Sequence, residues 1–68
     1  MKTVLIEGMS CNHCVMSVKN ALETIPEVKF ANVILDEKKA EVDLDGDVED
    51  SVLTKAVEEA GYTVTGIK

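Results

Sequence analysis

Hydrophobic and polar residues follow two different periodicities along the chain. Four segments alternate between apolar and polar positions, as half-buried strands do. They predict strands at residues 3–7, 28–35, 40–44 and 62–67. Two further segments repeat their apolar residues at intervals of three and four, which predicts helices with one buried face. The predicted order is therefore strand, helix, strand, strand, helix, strand.

The first predicted helix begins at the chain's two cysteines and is stopped by Pro26. Proline lacks the amide hydrogen and disfavours helical backbone in the residue before it, so the helix does not extend past this point. The apolar face of this helix comprises Val18, Ala21, Leu22 and Ile25, with Cys14 and Val15 extending it to the first turn.

The second helix is predicted from Glu49 or Asp50 to Ala60. The acidic residues at its start are stabilised by the positive end of the helix dipole. Gly61 is placed as the residue that closes its C-terminus. The apolar stripe of this helix comprises Leu53, Ala56, Val57 and Ala60.

This order of elements predicts an α+β fold with a split βαβ arrangement: one four-stranded antiparallel sheet with both helices on one face. In that layout the loop after the first strand and the loop before the last strand lie at the same end of the sheet. Tyr62 is therefore predicted to lie near the cysteines. A chain of 68 residues leaves room for a single domain, at residues 1–68.

The composition of the chain disfavours several classes of function. Thirteen acidic residues against seven basic ones give a net charge of −6, which disfavours a nucleic-acid partner. The sequence contains no signal-peptide core and no apolar run of about 18 residues, so we expect a cytoplasmic protein without membrane insertion. The sequence has one histidine and no glycine-rich phosphate loop, so it shows no set of residues typical of hydrolysis or phosphoryl transfer. We therefore expect a protein that is not an enzyme.

The candidate chemistry is concentrated in the segment Gly8–Cys14. This segment holds both cysteines, Cys11 and Cys14, and the only histidine, His13. Two thiols three positions apart at the start of a helix form either a clamp for a soft metal or a redox pair. The unpaired N–H groups and the dipole at a helix N-terminus favour the thiolate form that either function requires.

The number of available ligands favours Cu(I). Structural zinc takes four ligands, whereas this chain offers two cysteines and one histidine. His13 is adjacent to Cys14, which makes a shared tetrahedral site awkward. Soft thiolates with few neighbours suit Cu(I). A site of two sulfurs also leaves room for an incoming thiolate, which is typical of transport rather than storage.

Two residues beside the thiols have competing interpretations. Met9 is either an adaptable filler of the hydrophobic core or a thioether ligand. His13 is an exposed loop residue, a group that tunes the thiolates, or a further ligand when two chains share metal in a metal-bridged homodimer.

The segment Gly8-Met9-Ser10-Cys11-Asn12-His13-Cys14 resembles the Met-x-Cys-x-x-Cys loop of heavy-metal-associated domains, and most closely that of bacterial cytosolic copper chaperones. The likeness continues through Ala60-Gly61-Tyr62, ahead of the last strand. The resemblance implies a ferredoxin-like fold, with Cys11 and Cys14 as Cu(I) ligands, Met9 packed beneath them and Tyr62 near the site.

The same resemblance implies a role in copper homeostasis and a partner. Chaperones of this kind pass Cu(I) to a copper-transporting P-type ATPase or to a copper-responsive regulator. Relatives that face zinc or cadmium often carry an acidic residue beside the first cysteine, whereas this chain has Ser10. That difference favours copper.

Three alternatives remain open on the sequence. Similar domains form the N-terminal metal-binding part of heavy-metal ATPases, and others are mercury-binding proteins. A thiol–disulfide redox protein also uses Cys-x-x-Cys. The chain lacks tryptophan, a proline within the motif and an early thioredoxin-like βαβ unit, which disfavours the redox alternative.

Overall fold

The computed structural model describes residues 2–68, and these form one sheet covered by two helices. The elements in chain order are β1 (Lys2–Glu7), α1 (Asn12–Glu23), β2 (Val28–Ile34), β3 (Lys39–Leu44), α2 (Asp50–Glu59) and β4 (Thr63–Ile67). The strands pair in the order β2-β3-β1-β4, and all three pairings are antiparallel. The predicted α+β ferredoxin-like fold is thus confirmed.

The core lies between the helices and one face of the sheet. Alternation along each strand sends every second side chain to that face. In β1, Val4 and Ile6 are buried, while Leu5 between them is half-buried. The helices contribute their predicted stripes: Val18 and Leu22 from α1, and Leu53 and Val57 from α2, are fully buried.

Helix α1 is displaced toward the N-terminus relative to the prediction. It begins at Asn12, directly after the N-cap Cys11, and ends at Glu23, with Thr24 as its C-cap. Because Pro26 disfavours helical backbone at Ile25, the helix ends before that residue. Ile25 is still buried, 9% exposed, and joins the core from the turn rather than from the helix.

Helix α2 ends in a glycine turn that places Tyr62. Gly61 has φ +99°, in the left-handed region that favours glycine. The N–H of Gly61 donates to the carbonyl of Glu58, and the N–H of Tyr62 donates to the carbonyl of Val57. These two bonds form a Schellman motif, which confirms the predicted helix end. Tyr62 therefore belongs to this turn, and β4 begins one residue later than predicted.

Within residues 2–68, neither helix is long and apolar enough to cross a membrane.

Candidate metal site

The loop between β1 and α1 turns sharply at Gly8. Its φ of +99° lies in the left-handed region, which residues with a side chain rarely adopt. A Cβ at Gly8 would also lie 3.5 Å from Cδ1 of Tyr62, in ordinary contact with the ring. The backbone of the loop and the Tyr62 ring thus pack directly against each other, so the loop after β1 and the turn before β4 lie at the same end of the sheet.

The two cysteine sulfurs converge at the start of α1. Cys11 is the extended N-cap residue and is exposed, and Cys14, in the first turn, is half-buried. The N–H of Cys14 donates to the carbonyl of Cys11 at 3.0 Å, which closes the first turn. Both thiols are free, and their Sγ atoms are 3.5 Å apart.

This separation suits one ion held by two thiolates. With metal–sulfur bonds of roughly 2.3 Å, a linear S–metal–S unit spans about 4.6 Å. The sulfurs therefore need to separate by only about 1 Å, a distance on the scale of a side-chain rotation. Because Cys11 is exposed, its side chain is the one with room to move.

The surroundings of Cys14 favour its thiolate. Hydrogen bonding from the backbone of Ser10 is the largest cause, followed by the Tyr62 hydroxyl and the Cys11 thiol, and together they lower the pKa of Cys14 from 9.0 to about 6. The contact between Cys14 and Tyr62 has the opposite effect on the pKa of Tyr62. Because its hydroxyl donates to the Cys14 sulfur, and because it is partly desolvated, the pKa of Tyr62 is raised above 10.0. At neutral pH the pair is therefore a thiolate and a neutral phenol.

Alkylation of Cys14 should report this thiolate directly. Since only the thiolate reacts, we expect the rate of Cys14 alkylation by iodoacetamide to rise with pH and to reach half its maximum at a pH of about 6. In Tyr62→Phe, a hydrogen-bond donor to the sulfur is lost, so the midpoint should move to higher pH. The rates are measured on the metal-free reduced protein by tandem mass spectrometry, which assigns the modification to Cys14.

The exposed neighbour of Tyr62 supplies the control for this experiment. Thr63→Val changes a side chain outside the site and should leave the midpoint where it is in the unmodified protein. Free cysteine has a pKa of about 8.5. If the unmodified protein showed a midpoint near that value, the assigned surroundings of Cys14 would be wrong.

Met9 and His13 occupy opposite environments. Met9 is 7% exposed and belongs to the core, packed among buried apolar side chains. This position favours a packing role over a thioether ligand. His13 is exposed on the first turn of α1 and therefore faces solvent rather than the core. Within residues 2–68, no group of three or more His, Cys, Asp and Glu side chains is arranged to hold a metal.

Sequence analysis gave Ser17 no role. In the structure its hydroxyl interacts with the Tyr62 hydroxyl, which in turn interacts with Cys14. The available signal was the spacing, because Ser17 lies three residues after Cys14 and hence on the same side of the helix. The contribution of the Ser10 backbone to the thiolate had no such signal, since every residue type except proline can supply a main-chain N–H.

Comparisons with known proteins identify the family. The family model of the heavy-metal-associated domain matches residues 3–63 of this chain. The copper chaperone CopZ of Staphylococcus saprophyticus is 39% identical over 64 residues, covering 93% of this chain and 94% of the chaperone. A solved structure of a CopZ metallochaperone has a TM-score of 0.88 at 36% identity, covering 96% of this chain and 100% of that one.

A much longer protein is similar as well. The copper-transporting ATPase 2 of Rhizobium meliloti is 42% identical over 57 residues, which cover 84% of this chain but only 7% of the ATPase. The fold, the paired thiols and these similarities agree, and the chain belongs to the heavy-metal-associated domain family.

Proposed function

We propose that this protein is a cytoplasmic copper carrier that binds Cu(I) through the thiolates of Cys11 and Cys14. The observation that supports this most directly is the pair of sulfurs 3.5 Å apart at the N-terminus of α1. In this proposal residues 1–68 act as a single free-standing metal-binding domain, and the chain carries metal without catalysing a reaction. The similarity to CopZ chaperones over 94% of their length supports the same function.

The preference for Cu(I) over Zn(II) rests on the number and kind of ligands. Two thiolates satisfy a soft monovalent ion, whereas Zn(II) in a structural site takes four ligands. Within the described residues, no third side chain of His, Cys, Asp or Glu completes such a group. Ser10, beside Cys11, contributes no carboxylate that a harder ion would use. Zn(II) would therefore have to recruit water or a second molecule.

The exposure of the site supports transfer rather than storage. Cys11 is exposed and Cys14 half-buried, so the thiolate of a partner can approach the ion and replace one sulfur at a time. Each intermediate then keeps the ion bound to sulfur. We propose that the partner is a copper-transporting P-type ATPase or a copper-responsive regulator, since a domain of such an ATPase is itself similar to this chain.

Anaerobic titration of the reduced protein with Cu(I), and separately with Zn(II) and Hg(II), tests the proposal. Native mass spectrometry gives the stoichiometry, and competition with a chelator gives the affinity. We expect tight Cu(I) binding, at one ion per monomer or one per metal-bridged dimer, and weak Zn(II) binding. Zn(II) binding more tightly than Cu(I) would overturn the ligand argument, and a preference for Hg(II) alone would favour a mercury-binding protein.

A second candidate is an N-terminal metal-binding domain of a heavy-metal ATPase. The observation that favours it is the 42% identity to a segment of the Rhizobium meliloti ATPase. The metal chemistry would be the same, and only the covalent context would differ. The length of the reading frame in the source genome distinguishes the two candidates, because the segment of the ATPase that matches this chain is only 7% of that protein.

A further inference from the structure

Two side chains of α1 close one edge of the sheet. Strand β2 lies at the edge, with β3 on its inner side only. The Glu23 carboxylate accepts a hydrogen bond from the main-chain N–H of Ala31 at 3.1 Å. The Lys19 ammonium donates to the carbonyl of the same residue at 3.3 Å. Both main-chain groups that Ala31 turns away from the sheet are therefore already bonded to the helix.

Lys19 and Glu23 also hold each other in place. They stand one helical turn apart and form an ion pair. Lys19 lies over the ring of Phe30, with Nζ 4.8 Å from the ring centre, so the exposed aromatic side chain adds a cation–π contact. Hydrogen bonds from Lys19 and from Ala31 lower the pKa of Glu23, so they favour its carboxylate form. We call these two residues the β2 clamp.

Without the β2 clamp, β2 would be well suited to pair with another strand. Its sequence, VKFANVI, is rich in β-branched and aromatic residues and contains no proline. Unpaired main-chain groups along such an edge attract further strands, and proteins commonly block them with charged side chains. The register shift between Val28 and Phe30 interrupts one end of this edge. Ala31 is the middle residue of β2 and lies in its regular part, which runs from Phe30 to Ile34.

The geometry of β2 fits a second copy of the same strand. An antiparallel pair of β2 strands centred on Ala31 would place Phe30 opposite Asn32 of the other copy. Lys29 would face Val33 rather than another Lys29, so no like charges would be directly opposed. The pair would join two four-stranded sheets into one. Within β2 itself, only Lys29 and the bulge oppose this pairing, and both lie at one end of the strand.

We propose that the β2 clamp, Lys19 and Glu23, prevents this protein from associating with a second copy of itself through β2. The two side chains occupy the N–H and the carbonyl of Ala31, the hydrogen-bonding groups at the centre of the pairing that the other strand would need. Removal of the clamp exposes them and converts the edge into a dimer interface. This surface is separate from the cysteine loop, so the association it predicts does not require metal.

The variant K19A/E23A tests the proposal at unchanged net charge. The protein is kept reduced, metal-free and in chelator, which excludes dimers bridged through the thiols. We expect sedimentation velocity to show a concentration-dependent dimer of the variant at up to millimolar concentration, while the unmodified protein remains monomeric. Far-UV circular dichroism shows that the variant is folded. The control K55A/E59A removes the same two residue types at the same spacing from exposed positions of α2 and should stay monomeric.

Amide exchange of Ala31 gives a second measurement that needs no variant. An outward-facing amide on an edge strand normally exchanges quickly, but a bond to a carboxylate should slow Ala31 by about ten- to hundredfold relative to its intrinsic rate. Exchange of Ala31 at its intrinsic rate in the unmodified protein would overturn the proposal. So would a folded K19A/E23A that remains monomeric, or equal dimerisation of K55A/E59A.

Discussion

Replacing either cysteine with serine is expected to abolish tight Cu(I) binding. Each thiolate supplies half of the ligands in the proposed site, and a serine hydroxyl does not replace a soft sulfur. By analogy with structural zinc, in which four ligands contribute about 10–16 kcal/mol, one ligand is worth about 2.5–4 kcal/mol. We therefore expect Cys11→Ser and Cys14→Ser each to weaken Cu(I) binding by at least about 70-fold, measured by chelator competition.

The fold should survive these substitutions, which separates loss of a ligand from loss of structure. Cys11 is the N-cap of α1 and makes no side-chain cap hydrogen bond. Serine is a preferred N-cap residue, so Cys11→Ser should leave the free energy of unfolding unchanged or raise it. Asn12→Ser, between the two cysteines, is the matched control and should keep the Cu(I) affinity. Unchanged affinity in both cysteine variants would refute the proposed site.

Leu22→Ala is expected to cause the largest loss of stability. Leu22 is fully buried on α1 and belongs to the hydrophobic core. Truncating a buried leucine typically costs about 2–5 kcal/mol, because the transfer free energy of the lost groups and the cavity add together. A domain of this length has only about 3–10 kcal/mol in total. The variant should therefore lose a large part of its free energy of unfolding.

Urea unfolding followed by far-UV circular dichroism measures this effect, since the chain has no tryptophan and one tyrosine. Val52→Ala is the control: Val52 lies on α2 but is 42% exposed, so its truncation should cost less than about 1 kcal/mol. A loss below about 1 kcal/mol for Leu22→Ala would show that the site collapses around the smaller side chain. In that case the close packing assigned to this part of the core would be wrong.

Most of the fold followed from local patterns in the sequence. Alternation marked the four strands, and apolar stripes marked the two helices to within a few residues. Gly61 marked the end of α2 because its left-handed backbone favours glycine. The predictions that were wrong concerned the ends of helices and strands. Ile25 continued the helical spacing of α1, yet the backbone restriction imposed by Pro26 ended the helix earlier.

The β2 clamp had no signature of its own. Lys19 and Glu23 were visible as an i,i+4 pair on a helix surface, which is a common pattern with a small effect. Their contacts with Ala31 depend on how α1 lies across the edge strand. That position follows from packing of the whole core, which no local pattern encodes.

The sequence by itself determined the topology, the core positions and the two thiols at the start of a helix, because each depends on residue type and short-range spacing. The tertiary structure decided what surrounds those thiols. Tyr62 is 48 positions beyond Cys14 along the chain, and it reaches that sulfur because β4 pairs with β1 and returns the chain to the same end of the sheet. The backbone of Ser10 acts on Cys14 through the shape of the loop alone. The predicted order of elements placed Tyr62 at the same end of the sheet as the cysteines. Its contact with the Cys14 sulfur, and the contact of the Ser10 main chain, carry no residue pattern of their own, and only the folded chain brings these atoms together.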